Sequence, residues 1–340
     1  MKKILVALTL ITGLIACEKQ KNEFADFDYT TGYFPYQFPV RTLVLGDYIY
    51  DNTNDNDHKF LISAAMGGVY SNNQDRIFDL ELANNLCNNV LFSAGGDTIR
   101  VMPPSYYTLS SKTQLVIPAG HVNGGIEVHL TDAFFADTLA TRLSYVIPLR
   151  ISNVTNLDSV LRGQSSQSNP DPRIKGLWDV QPKDFTMFAV NFINEYHGTY
   201  LHRGASAVKD QAGAVIENNV YRTPYIVDNE LWSMKTISRN QVTINTNTHS
   251  DSSIKVPLKM NLTFSDNGTC TVTQAAGSDF TITGTGKFVK DGDEWGNKKR
   301  NAIYLDYQLT TPGDSTYSAM DTLVIRDRDI KLQVYSPEVF

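Results

Sequence analysis

Apolar and polar residues alternate strictly in several short segments of this chain. In Ile126–Leu130 the apolar side chains fall on one face, and Glu127 and His129 fall on the other. A longer segment, Val256–Phe264, has an apolar residue at every even position. Such alternation indicates β-strands that bury one face. Since only 19% of the 340 residues are charged and 11% are aromatic, composition also favours strands over helices. The sequence therefore predicts an all-β protein.

The predicted strands fall into two halves. Short strands separated by turn residues in residues 28–160 are typical of an immunoglobulin-like β-sandwich. Residues 161–176 are rich in Ser, Asn and Pro, which favours a linker. Residues 177–340 contain roughly eight to ten further strands, Phe185–Ile193 among them, which is enough for a closed antiparallel β-barrel. Asn267-Gly268, between two alternating runs, predicts a hairpin in which both turn residues have positive φ.

The first residues have the layout of a bacterial export signal. Two lysines precede an apolar run, Ile4–Ile15, that is too short to cross a bilayer as a helix. The run leads into Leu-Ile-Ala-Cys at Cys17, which resembles the lipobox of bacterial lipoproteins. The resemblance implies removal of residues 1–16, lipidation of Cys17 and attachment to a membrane through a polar tether, residues 17–27. The alternative is an ordinary secretory signal that happens to contain a cysteine.

The charge balance argues against nucleic acid as a partner. Two of the 30 Lys and Arg residues belong to the leader, which leaves 28 against 36 Asp and Glu, without a basic cluster. No later segment approaches 18 consecutive apolar residues, so we expect the protein to lie on a membrane without crossing it. Cys87 and Cys270 fall in different predicted domains, and Cys270 shares an apolar strand face with Val272. Both are interpreted as buried free thiols.

Longer motifs resemble those of a family of Bacteroidetes surface lipoproteins. The matching motifs are residues 34–46, Met66–Tyr70, Pro104–Tyr107, Ile117–Gly120, Tyr145–Leu149, Phe185–Phe188, Tyr196–Leu201 and Arg203-Gly204. The resemblance covers nearly the whole mature chain. It implies an N-terminal immunoglobulin-like β-sandwich followed by a C-terminal lipocalin-like (calycin) antiparallel β-barrel, both of unknown function. Such proteins are encoded in polysaccharide-utilisation loci beside an outer-membrane glycan importer, which implies glycan capture at the cell surface. The resemblance identifies no binding residues.

The sequence lacks motifs for catalysis and metal binding. Asp51–Asp57 is rich in oxygens of the kind that bind Ca²⁺, but an EF-hand loop needs Gly sixth and Glu twelfth, where this chain has Asn and Ile. We interpret the segment as an Asx-rich turn. The six His residues show no zinc-protease spacing, and His197 and His202, five apart, would face opposite sides of one strand. We therefore expect no metal and no cofactor.

A glycan site needs aromatic faces for sugar rings and planar polar groups for hydroxyls. Trp295 is the leading candidate because it lies in a predicted polar loop with Asp293 and Asn297. Its alternative role is to fold back and cap the barrel. The mouth of a barrel is a common place for a ligand, which favours sites in this half. The secondary candidates are Tyr221, Arg222 and Tyr225.

Three functions follow from these observations. The first is a non-catalytic, lipid-anchored glycan-binding protein of the outer membrane that assists polysaccharide capture and uptake alongside the importer complex. The second is a structural or adhesive surface protein that binds another protein. The third is a glycoside hydrolase whose two carboxylates, about 5–10 Å apart, meet only in the fold.

Overall fold

The computed structural model describes residues 27, 29–250, 256–310, 315–331 and 333–340. The predicted signal peptide and Cys17 lie outside the described residues. Strands dominate, and the two α-helices of the described chain, α1 (Thr53–Asn56) and α2 (Asp132–Ala136), are short. Within the described residues no helix is long and apolar enough to cross a membrane. The predicted fold class, all-β with a sandwich and a closed antiparallel barrel, is confirmed.

Two curled sheets form the sandwich. The first contains, in spatial order, β11 (Ser159–Val160), β1 (Thr31–Tyr33), β3 (Lys59–Gly67), β9 (Asn123–Leu130) and β7 (Tyr107–Leu109). The second contains β22 (Gln333–Val334), β2 (Pro39–Val44), β12 (Phe185–Ile193), β10 (Tyr145–Thr155), β4 (Arg76–Leu82) and β8 (Gln114–Ile117), with β6 (Arg100–Val101) beside β10. Side chains from both sheets, such as Phe78, Ile126 and Phe192, are buried in one core.

The barrel has eight antiparallel strands. They are β13 (Gly198–Lys209), β15 (Glu230–Ser238), β16 (Gln241–Asn247), β17 (Pro257–Phe264), β18 (Thr269–Gln274), β19 (Thr281–Trp295), β20 (Lys298–Thr310) and β21 (Thr316–Asp327). Pairing of β21 with β13 closes the barrel, so this sheet leaves no open edge there. A further strand, β14 (Val215–Tyr221), pairs with the second half of β13, where β15 no longer reaches.

Alternation places one side chain in two inside the barrel. On β13, for example, Tyr200, His202 and Val208 are buried, while Ala205 and Lys209 are exposed. Cys270 lies on the buried face of β18, and Cys87 is buried in the sandwich. Both are free thiols, as predicted.

One strand predicted for the barrel belongs to the sandwich. β12 runs parallel to β2 and antiparallel to β10, in the middle of the second sheet. Nearly all of its side chains are buried, since both faces are covered. Such a strand reads as a continuous apolar run and carries no alternation to indicate which sheet it joins. The barrel therefore starts with β13, and the Ser/Asn/Pro-rich segment 161–176 lies between two strands of the sandwich.

The chain returns to the sandwich after the barrel. β22 pairs with β2, and β23 (Glu338–Val339) pairs with β5 (Val90–Leu91). Between them, Tyr335 is buried against Phe38 and Phe92, and its hydroxyl donates to the Met187 carbonyl at 2.7 Å. The barrel is thus an insertion between β12 and β22 of the sandwich.

Arg328 joins the two crossings, which are the chain segments that connect the sandwich to the barrel. Its side chain is only 7% exposed. The guanidinium donates to four backbone carbonyls, at 2.6–3.0 Å, which belong to Leu45, Asp47, Asn194 and His197. The chain therefore enters and leaves the barrel side by side, next to the end of β2.

The predicted hairpin at Asn267-Gly268 is present with a different turn. β17 and β18 pair as expected, but residues 265–268 all separate them. Gly268 has a φ of 79°, whereas Asn267 does not adopt positive φ. The four-residue loop needs only one left-handed residue, which is Gly268. The side chain of Asn267 stabilises the turn by accepting a hydrogen bond from the Thr269 N–H.

The Asp/Asn-rich segment Asp51–Asp57 forms α1 and its flanking turns. Asp51 accepts a hydrogen bond from the Thr53 N–H at 3.0 Å, and Asp55 accepts one from the Val44 N–H at 2.9 Å. Asp55 also forms an ion pair with Arg41. These contacts agree with the interpretation as an Asx-rich turn, since side-chain oxygens satisfy nearby backbone groups.

Candidate functional site

The β19–β20 hairpin positions Trp295. Strand β19 continues to Trp295 itself, and Gly296 and Asn297 form a two-residue turn with φ values of 61° and 57°. The prediction of a polar loop around Trp295 is therefore wrong in this respect. An irregularity between Val289 and Asp293 shifts the register of the strand pair, which conceals the alternation.

The Trp295 ring is held in a fixed orientation. Its indole N–H donates to the Ile325 carbonyl at 3.0 Å. The Arg300 guanidinium lies 4.4 Å from the ring centroid, in a cation–π contact. A ring fixed in this way loses little side-chain entropy when a ligand packs against it.

A groove of about 520 Å³ brings Trp295 next to the connection between β14 and β15. Arg203, Thr223, Tyr225 and Val227 line it with Trp295. The Tyr225 side chain is 71% exposed. Arg203, on the outward face of β13, forms an ion pair with Asp293. The groove therefore combines two aromatic rings with the guanidinium of Arg203, which is paired with Asp293.

The predicted glycan-binding residues do not all meet there. Trp295 and Tyr225 line the groove, and Asp293 reaches it through Arg203. Arg222 and Asn297 are exposed but are not among its lining residues. Tyr221 points to the other side of the wall, where its hydroxyl donates to Asp321 Oδ1 at 2.5 Å.

The interior of the barrel holds a second polar cluster, which we call the interior cluster. It consists of His202, Tyr221, Glu230, His249, Tyr307 and Asp321. Glu230 Oε2 lies 3.3 Å from His202 Nδ1 and 2.8 Å from His249 Nε2. On its other side, His202 Nε2 lies 3.1 Å from Asp321 Oδ1, although its N–H is poorly aligned for a hydrogen bond. The His202 and Asp321 side chains are fully buried, whereas that of Glu230 is 49% exposed.

Aromatic stacking fixes the two imidazoles of the interior cluster. The ring of His202 stacks on Trp232 with centroids 3.6 Å apart, and that of His249 stacks on Tyr221 at 3.9 Å. The Ser206 hydroxyl and the Asn219 amide both donate to the His249 carbonyl, at 2.7 and 3.1 Å. Both rings are therefore held, although His249 lies beyond the end of β16.

Neighbouring charges and burial shift the pKa values in the interior cluster. The hydrogen bond from His202, together with the nearby His249, lowers the pKa of Glu230 to about 2. Burial opposes charge on His202, but its contacts with Asp321 and Glu230 outweigh burial and raise the pKa of this imidazole. Burial lowers the pKa of His249.

Sequence reasoning missed the interior cluster because it compared His residues by local spacing. His202 lies on β13, Glu230 is the first residue of β15 and His249 follows the end of β16. A signal was nevertheless present. Asp321 lies in phase with the buried Tyr317, Ala319 and Leu323 of its strand, so a carboxylate occupies an apolar face. A charged residue in such a position indicates a buried polar partner.

A third feature is a cleft of about 540 Å³ between sandwich and barrel. Tyr48 and Tyr50 contribute aromatic rings from the sandwich, with centroids 5.5 Å apart. Arg326, near the end of β21, and Lys331, after the barrel, contribute cationic groups. The cleft offers an alternative place for a ligand.

These observations define a two-body all-β protein in which a closed barrel with two polar sites is inserted into a β-sandwich. A family model described as an N-terminal domain matches residues 27–158. A second model, the domain of unknown function DUF5627, matches residues 195–329, in agreement with a barrel that starts at β13.

A crystal structure of a Bacteroides ovatus protein of unknown function is similar throughout. It shares 35% sequence identity with a TM-score of 0.86, and the alignment covers 92% of this chain and 100% of that chain. The chain belongs to the family of that protein. A multidomain Bacteroides ovatus protein that includes DUF1735 has 12% identity over 89% of this chain and 97% of its own, with a TM-score of 0.43.

Another Bacteroides ovatus protein, provisionally described as a carbohydrate binding protein, has 11% identity over 89% of this chain and 99% of its own, with a TM-score of 0.29. At that level of similarity the comparison carries no functional weight. No curated protein matches the chain significantly.

Proposed function

We propose that this protein is a non-catalytic glycan-binding protein, held on the outer membrane through lipid on Cys17, that assists capture and uptake of a polysaccharide beside an importer complex. The observation that carries the proposal is the groove. Trp295 and Tyr225 are 70 residues apart in the chain and line one surface depression. Aromatic rings beside a guanidinium and a carboxylate are the groups that contact the faces and hydroxyls of a sugar.

The interior carboxylates support binding over hydrolysis. A glycoside hydrolase needs two carboxyl groups with a sugar between them. Asp321 and Glu230 lie on opposite sides of His202, so the imidazole fills the space between them. Asp321 is also fully buried, which leaves no room for a substrate beside it.

The test is binding of the protein lacking residues 1–17 to a broad panel of polysaccharides and oligosaccharides. We expect Trp295→Ala and Tyr225→Ala each to weaken binding at least about tenfold, which corresponds to about 1.4 kcal/mol. Trp295→Phe should retain part of the affinity because it keeps an aromatic face. Tyr36→Ala is the matched control, since Tyr36 is 64% exposed on the sandwich. Circular dichroism of each variant checks that the fold is retained.

The other outcomes are informative. Loss of binding in Tyr50→Ala with Trp295→Ala unaffected would move the site to the cleft between sandwich and barrel. Absence of binding to every glycan on the panel would contradict the proposed function and leave the adhesive role as the better hypothesis.

A further inference from the structure

We propose that the interior cluster is a binding site for one divalent transition-metal ion, with Zn²⁺ as the best match. The ligand atoms are His202 Nδ1, Glu230 Oε2 and His249 Nε2, which all lie within 4.8 Å of one another. Two imidazoles and one carboxylate are a donor set that Zn²⁺ accepts. This inference does not depend on the proposed glycan site, which lies on the outer face of the wall.

The two distances from the Glu230 carboxylate to the imidazoles fit such an ion with a small adjustment. Four-coordinate Zn²⁺ with ligands at 2.0–2.2 Å places neighbouring ligand atoms about 3.3 Å apart. The separation between Glu230 Oε2 and His202 Nδ1 is already 3.3 Å, whereas that between Glu230 Oε2 and His249 Nε2 is 2.8 Å. Glu230 is the first residue of β15 and is half-exposed, so its carboxylate can move outward by the few tenths of an ångström required.

Groups behind the ligands present the correct nitrogen of His202. The carboxylate of Asp321 lies 3.1 Å from Nε2 and would keep a proton there when a metal ion replaces the proton that Nδ1 shares with Glu230. The hydroxyls of Tyr221 and Tyr307 donate to the two oxygens of Asp321, at 2.5 and 2.9 Å. This arrangement, in which a carboxylate orients a histidine ligand, is typical of protein metal sites.

Charge also favours a cation at this position. Among the described residues, neither Glu230 nor Asp321 forms an ion pair with Lys or Arg, and both contact histidine instead. A divalent ion would offset the negative charge of the two carboxylates within the barrel. The side chains of Glu230 and His249 are 49% and 25% exposed, so water or a ligand oxygen can reach the fourth coordination position.

The experiment measures Zn²⁺ binding to the chelator-treated protein lacking residues 1–17 by isothermal titration calorimetry. We expect one equivalent of Zn²⁺ to bind, and Co²⁺ in its place to give the visible absorption of a four-coordinate ion with nitrogen and oxygen ligands. His249→Gln and Glu230→Gln should each weaken binding at least about 100-fold. Asp321→Asn should weaken it by about 10–100-fold, since it acts through His202.

His129→Gln is the matched control, because His129 is an exposed histidine on the sandwich. It should bind Zn²⁺ as the unaltered protein does. His249 is chosen over the fully buried His202 because its side chain is partly exposed, so that its replacement leaves the barrel folded, as near-ultraviolet circular dichroism will check. Equal Zn²⁺ affinity in His249→Gln and His129→Gln, or no stoichiometric binding by the unaltered protein, would overturn the proposal. Glycan binding measured without Zn²⁺ keeps this outcome separate from that of the proposed function.

Discussion

His197, where the chain enters β13, accepts a backbone hydrogen bond that only its neutral form can accept. The Thr236 N–H donates to His197 Nδ1 at 3.1 Å, so that this nitrogen must carry a lone pair. Burial, with a smaller contribution from the charge of Arg328, lowers the pKa of the imidazole from 6.5 to about 4. Because protonation would place a hydrogen on His197 Nδ1, it would require the hydrogen bond from the Thr236 N–H to break.

The shifted pKa of His197 predicts a loss of stability in weak acid. Between pH 6.5 and 4 the unfolded chain binds a proton that the folded chain does not. The contribution of neutral His197 to the free energy of unfolding is therefore complete above pH 6.5 and falls as the pH is lowered. The contribution is at most about 3 kcal/mol. Urea unfolding at pH 7.5 and pH 4.5 should show a smaller pH dependence for His197→Gln than for the unaltered protein. His129→Gln is the control, and an identical reduction in that variant would contradict the prediction.

A glycine in β13 leaves space for the side chains of the interior cluster. Gly204 follows His202 on the interior face and pairs with Asp321 of β21. A Cβ atom at this position would lie 2.3 Å from Asp321 Oδ1 and 2.9 Å from a ring carbon of Tyr221. The missing side chain therefore makes room for the carboxylate and the phenol that support His202.

Gly204→Ala should consequently disturb the interior cluster as well as the strand. We expect the free energy of unfolding to fall by about 1–3 kcal/mol, because the added methyl group overpacks the interior. The stacked pair Tyr221–His249 should also be displaced, which near-ultraviolet circular dichroism would detect. Gly176→Ala is the matched control, since a Cβ there meets no atom within 4 Å. Equal stability of the two variants would show that β13 and β21 can separate without cost.

Alternation along the elements predicted the all-β class, the barrel strands and the buried Cys270, since each of these strands buries one face. It could not assign β12, whose two buried faces erase the pattern. The groove that contains Trp295 was predictable in part. Trp295 and Tyr225 stood out as aromatic residues in polar surroundings, but their meeting in one groove depends on how β19 and the β14–β15 connection are placed around the barrel. The interior cluster depends on closure of the barrel, which no local spacing encodes.

Residues that follow the barrel stabilise the sandwich. Tyr335 follows the barrel, yet it packs between Phe38 and Phe92 of the sandwich and donates to the carbonyl of Met187 in β12. Its contacts thus connect segments that are far apart in sequence.

Tyr335→Ala should destabilise the sandwich selectively. We expect a loss of about 3–5 kcal/mol, as for other large buried aromatic residues. Hydrogen exchange followed by mass spectrometry should show faster exchange in β2, β5 and β12, with β13–β21 still protected. Phe340→Ala is the control, because Phe340 is 70% exposed. Faster exchange throughout the barrel instead would mean that the two bodies unfold as one unit.

The insertion of the barrel into the sandwich has a mechanical consequence. A domain at the end of a single linker transmits any pull through one segment of chain. Here the two crossings follow β12 and precede β22, which flank β2 on either side, and Arg328 holds them together. Tension between the amino terminus and a load on the barrel is therefore shared by the hydrogen bonds of three adjacent strands. Because two segments connect the barrel to the sandwich and Arg328 bonds to both, the attachment resists both stretching and rotation of the barrel.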